Sequence, residues 1–206
     1  VEPASVSELQ ALVRRARSER RRVRVIRRRH TSNAQLCSDD YVVSTAKLRQ
    51  ALYIERFEGV ETVVTEPGIR LGDLNDWLDA RGRSLGFAVL GTRDPTIAGA
   101  IATGSHGSSP RHSDVLSNLV QSIDLVGADG ELHAYSRGRT PSAVWKTLTA
   151  SLGMAGIMTR LRLRIEPSFN LGVQVTYHSD LELGRGAGPI DYVSECDYGQ
   201  LNWFPG

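Results

Sequence analysis

The chain has 206 residues, 40% of them hydrophobic and 23% charged, with a formal net charge of +2. This is the composition of a globular protein with one core and an appendage, and it holds no run of about 18 apolar residues that would cross a bilayer as a helix. The opening VEPASVSELQ has neither the basic start nor the apolar stretch of a secretion signal, so a soluble, cytoplasmic protein is expected.

In chain order, SVSELQALVRRARSERR places Val6, Leu9, Leu12, Val13 and Ala16 at helical spacing, and Ser5 with Glu8 forms a capping box. VRVI, Val23 to Ile26, reads as a short strand that leaves into the loop RRRHTSN, and a second strand is expected near Tyr41 to Ser44. VETVVTEPG is a strand closed by a turn at Pro67 and Gly68. LGDLNDWLDARG presents Leu71, Leu74, Trp77 and Leu78 on one helical face and stops at Gly82.

LVQSIDLVGADGELHAYS is a hairpin turning at Asp129-Gly130, and SAVWKTLTASLG is a helix. In GIMTRLRLRIEP, Ile157, Thr159, Leu161, Leu163 and Ile165 alternate with Arg160, Arg162 and Arg164, a strand with one wet face. Strands and helices intermix and some strands pair as hairpins, so the fold class is α+β rather than a doubly wound parallel sheet. From Leu171 the pattern loosens, and Trp203 and Phe204 are large aromatics that need burial.

Cys37 and Cys196 stand far apart with no partner at metal-ligand spacing, which indicates neither a disulfide framework nor a zinc site. Ten arginines fall between Arg14 and Arg29. Such a cluster attracts phosphate, or it is a solvated helix face. Without interleaved aromatics nearby, nucleic acid is not the expected partner. Nor are His106, His112 and Asp114, in serine- and glycine-rich surroundings, expected to fix a metal.

The stretch TIAGAIATGSHGSS carries the most specific chemistry. Thr96 can cap a helix whose N-terminal N–H groups face an anion, with phosphate the expected guest. Gly99 removes a side chain one turn in. Thr103, Ser105, Ser108 and Ser109 supply hydroxyl donors, and Gly104 and Gly107 bracket His106. The same composition also suits a tight turn with a structural histidine.

Together with EPASVSELQALVRRA, TEPGIRLGDLNDWLDARGRSL, LVGADGELHAYSRG and SLGMAGIMTRLRLRIEP, this stretch resembles the flavin-binding domain of the vanillyl-alcohol-oxidase and para-cresol-methylhydroxylase superfamily, and within it the branch of alditol and aldonolactone oxidases. The resemblance implies a PCMH-type domain of two α+β subdomains over residues 1–169 and the beginning of a substrate domain over 170–206. It implies FAD as cofactor, with Arg28, Arg29, His30, Thr31 and Ser32 around the pyrophosphate. Gly91, Thr96, Gly99, Thr103, Gly104, Ser105, His106 and Ile157 would complete the binding set.

His30 is the candidate for covalent attachment to the flavin, and His106 the alternative. The implied reaction oxidises the CH–OH group of a sugar, polyol or related small-molecule alcohol by hydride transfer to flavin N5, and oxygen or another acceptor reoxidises the flavin. No catalytic residue is named from this chain, and a degenerate flavin domain without turnover is the alternative.

Two departures from the family pattern stand out. Where the first loop is roughly Gly-x-Gly-His-Ser, this chain has Arg27 and Arg29 at the glycines and Thr31 at the serine. If the loop needs positive φ at those positions, each arginine costs roughly 1 to 2 kcal/mol. Before Gly91, where oxidases of the branch keep a small residue, stands Leu90, which leans towards a dehydrogenase.

Overall fold

The computed structural model describes residues 1–30, 37–86, 93–112, 115–183, 188–194 and 196–204. Helix α1 (Val6–Ser18) begins where Ser5 Oγ accepts from the Glu8 amide at 3.2 Å. The Glu8 carboxylate reaches back to the Ala4 amide at 2.8 Å, one residue beyond the amide a capping box would take. Leu9, Val13 and Ala16 are buried on its inner face. That face covers a parallel pair, β1 (Val23–Ile26) and β2 (Tyr41–Ser44), and forms a small core with Val43, Val126 and Ile157.

The larger core lies on a five-stranded antiparallel sheet built from β3 (Ala51–Phe57), β4 (Val60–Thr65), β6 (Val120–Val126), β7 (Leu132–Ser136) and β8 (Ile157–Arg164), in the order β3-β4-β8-β6-β7. Three helices cover one face: α2 (Leu71–Asp79) through Leu71, Leu74 and Leu78, α3 (Ile97–Ala102) through Ile97 and Ile101, and α4 (Ser142–Thr149) through Trp145 and Leu148. Each such side chain contributes roughly 1.5 to 3 kcal/mol through burial. The short strand β5 (Arg83–Ser84) pairs with β9 (Glu166–Pro167) and ties the end of α2 to the end of the sheet. The fold is α+β, as the mixture of elements predicts.

The hairpin turn falls at Asp129-Gly130, with Gly130 at φ +80°, and Gly82 takes φ +65° just beyond α2. Two expectations need correction. Strand β3 is absent from the elements read in the sequence, because exposed Leu52 and Tyr53 are adjacent and blur its alternation. The alternation of β8 also breaks. Arg160 pairs with Asp124 and Met158 with Leu125, so Thr159 is passed over as a bulge and donates its hydroxyl to Asp124 O at 3.1 Å. The slip turns Met158 onto the face of Leu161 and Leu163 in the larger core and sends Ile157 to the α1 core.

Residues 168–179 have no regular structure and lead to two short helices, α5 (Asp180–Leu183) and α6 (Pro189–Ser194). Leu171, Val173, Tyr177, Trp203 and Phe204 are exposed, so the apolar surface of this segment is not covered. Cys37 and Cys196 are free and exposed. No helix among the described residues is long and apolar enough to cross a membrane.

Candidate functional site

A cleft of about 330 Å³ opens between the two cores. One wall is the chain leaving β1, from Arg24 to His30. A second is the flank of α3, with Ala98, Gly99, Ala102 and Thr103. The third is the turn Ser151 to Gly153 with Gly156, Ile157 and Met158. Pro67 and Thr45 close the floor, where Gly68 runs so near the Thr45 and Leu48 carbonyls that no Cβ fits.

The cleft gathers Arg28, Arg29, His30, Thr96, Gly99, Thr103, Ser105 and Ile157 from the residues the sequence singles out. Gly104 and His106 are not among the lining residues. Gly104 instead turns the chain out of α3 at φ +69°, and His106 sets Nδ1 3.1 Å from the Gly107 carbonyl. Thr31, Ser32, Leu90, Gly91 and Asp114 lie outside the described residues. Arg24, Thr45, Ser151, Leu152 and Met158 are additional lining residues that the sequence did not mark.

The anion-binding role expected of the start of α3 does not hold as stated. Thr96 stands at the N-cap but makes no side-chain capping bond. The Ile97 amide donates to Ile69 O at 2.9 Å and the Ala98 amide to Pro67 O at 3.2 Å, so these two N–H groups are consumed by the floor of the cleft. The Thr103 hydroxyl donates back to Gly99 O at 2.9 Å within its own helix. What α3 offers is a wall of small residues, and at Gly99 a Cβ would meet only Thr96 Oγ1, at 3.0 Å.

Positive charge comes from side chains instead. Arg14, Arg15, Arg21 and Arg22 are drawn into ion pairs with Glu131, Glu19 and Asp40 away from the cleft, the solvated-face reading of the basic cluster. The end of the cluster differs. Arg27 Nε is buried and has no hydrogen-bond partner among the described residues. A buried guanidinium nitrogen without a partner calls for an acceptor from elsewhere. Arg29 takes φ +55°, so the strain expected for an arginine at a glycine position holds there, whereas Arg27 has no positive φ.

Asp94 organises the mouth of the cleft. Arg28 Nε donates to its Oδ2 at 2.8 Å, His30 Nε2 stands 2.9 Å from the same oxygen, and Arg70 lies 3.8 Å from Oδ1. The Arg28 hydrogen bond first, and the His30 contact second, hold the Asp94 carboxyl below its ordinary pKa.

Beyond the cleft, His112 stacks on Tyr198 with ring centroids 5.3 Å apart and sets Nε2 3.3 Å from Asp197 Oδ1. The Gly199 amide donates to Ser108 O at 3.0 Å, so the tail clasps the loop that follows α3. His106 and His112 are thus engaged separately, and among the described residues no group of three or more metal-ligating side chains converges.

Residues 1–136 match a family model described as an FAD binding domain. Over 173 residues the chain is 34% identical to a D-arabinono-1,4-lactone oxidase of Eremothecium gossypii, covering 82% of this chain and 32% of that protein. It is 30% identical to one of Saccharomyces cerevisiae over the same shares of each. It is 27% identical over 206 residues to the L-gulonolactone oxidase of Mus musculus, covering 99% of this chain and 45% of that protein. The chain therefore spans from about a third to less than half of these relatives. The resemblance to aldonolactone oxidases read from the motifs stands, and the chain belongs to the FAD-binding domain family, with FAD as its cofactor.

Proposed function

We propose that this chain is the cofactor-holding part of a flavin-linked oxidase that acts on the CH–OH group of a sugar-derived lactone or a related polyol. The relatives that support the reading are named as oxidases of aldonolactones. The observation that carries it is the match between the donor set of the cleft and FAD. The Arg29 guanidinium and that of Arg27, whose Nε has no partner among the described residues, suit a diphosphate, and the wall of Ala98, Gly99 and Ala102 suits a flat ring.

When bound, FAD would supply at N5 the acceptor for a hydride from the carbinol carbon, with oxygen or another acceptor taking up the electrons. The chain's own residues bind and orient. Arg27 and Arg29 neutralise the phosphates, and Arg28, paired with Asp94, fixes the loop after β1. The α3 wall, Ser105 and Ile157 shape the space for the ring. His30 is the point of covalent attachment. Residues 170–206 begin a substrate domain, a reading supported by the exposed Leu171, Val173, Tyr177, Trp203 and Phe204.

The test is a visible spectrum of the purified protein, followed by acid precipitation. Yellow protein whose colour stays in the pellet, and is released from the pellet of His30→Ala, is the expected result. Colourless protein that does not take up added FAD would leave the degenerate-domain alternative.

A further inference from the structure

The turn that joins α4 to β8 has an apolar side chain in an unfavourable place. The Met154 amide donates to Ser151 O at 2.9 Å, which closes a four-residue turn whose central residues are Leu152 and Gly153. Both are left-handed, at φ +52° and +77°. Two positive φ values define a type I′ turn, where Asn-Gly or Gly-Gly is the usual pair because a branched apolar side chain is strained there. The Leu152 amide donates to Ala102 O at 2.9 Å, which pins the turn against the end of α3 and holds the residue in this conformation.

The strain gains nothing from the cores. Leu152 is 41% exposed and belongs to neither hydrophobic cluster, whereas Leu148, one turn earlier in α4, is buried. Leu152 lines the cleft, as do Ala102 and Met158. An exposed apolar residue held in a sparsely populated backbone region at a cleft is the pattern found at ligand clamps.

We propose that Leu152 is a cofactor-binding residue whose side chain forms the aliphatic wall against one of the planar rings of FAD, and that its strained backbone is retained for this contact. The inference rests on FAD occupying this cleft. Either ring system of FAD, the isoalloxazine or the adenine, presents the flat surface such a wall receives.

So that FAD binds reversibly, the test compares the His30→Ala chain with the same chain carrying Leu152→Gly or Leu152→Asn, both of which suit a left-handed residue. Two quantities are read: the melting temperature of the cofactor-free protein, and the Kd for FAD from quenching of flavin fluorescence. Titrations with FMN and with ADP as separate probes assign the ring. The expected result is a melting temperature equal to that of the parent or a few degrees higher, with FAD affinity about tenfold weaker. The loss would appear with FMN if the ring is the isoalloxazine and with ADP if it is the adenine. A melting temperature that falls while FAD affinity is unchanged would make Leu152 a packing residue and overturn the proposal. Unchanged affinity at unchanged or raised stability would overturn it as well. If the parent chain itself binds no FAD, the cofactor reading of the cleft fails first and this inference with it, an outcome distinct from parent and variants binding equally.

Discussion

His30 Nε2 and Asp94 Oδ2 stand 2.9 Å apart, and that same oxygen accepts a hydrogen bond from Arg28. One carboxylate therefore fastens both the histidine and a neighbouring cation of the loop after β1 to the segment that leads into α3. Because Asp94 is held below the ordinary carboxyl pKa, its contribution to stability is present above the unfolded value of about 3.9 and is lost as pH falls through the lower folded value. Asp94→Asn is expected to reduce the drop in urea midpoint between neutral and strongly acidic pH. Asp40 and Asp73, also held low by arginines, keep part of the drop in place. Equal drops in parent and variant would show that this carboxylate does not contribute to acid sensitivity.

Arg29 at φ +55° gives a second expectation. Glycine at this position removes roughly 1 to 2 kcal/mol of left-handed strain and adds roughly 0.5 to 1 kcal/mol of unfolded-state entropy. Arg29→Gly should therefore stabilise the cofactor-free protein by about 0.5 to 1 kcal/mol, read from urea unfolding. A loss of stability would mean that the guanidinium makes a compensating contact.

Gly68 is required for space rather than for conformational freedom. Its amide donates to Leu48 O at 2.7 Å, and a Cβ would press into the backbone carbonyls of Thr45 and Leu48, which cannot swing aside as a side chain could. Gly68→Ala is expected to cost about 3 kcal/mol or more, and to weaken FAD binding, because Thr45 and Pro67 form the floor of the cleft. A denaturation midpoint near that of the parent would show that the floor can yield.

The elements legible in the sequence are those whose signal is local. Ser5 with Glu8, the three-four spacing of Leu71, Leu74 and Leu78, and Asp129-Gly130 each mark an element through residues a few positions apart. The bulge at Thr159 was not legible, because it exists only in the pairing with Asp124 and Leu125 on another strand. The cleft follows the same division. TIAGAIATGSHGSS and RRRH named two of its walls and the resemblance named Ile157 in the third, but Ser151 and Leu152 reach that third wall by way of α4, and nothing local to SLG announces their placement. The spending of the Ile97 and Ala98 amides is also a tertiary fact, since their acceptors, Ile69 and Pro67, precede α2.

That exchange of donors changes how the cleft meets its ligand in time as well as in space. Backbone amides act only within hydrogen-bond reach, whereas the Arg27 and Arg29 charges at the cleft act over roughly the 8 Å Debye length of physiological salt. On the proposed reading, a diphosphate diffusing past would be drawn in before it touches the protein. On that reading Arg27 and Arg29 would act on the association rate, and capture of FAD is expected to slow as ionic strength rises.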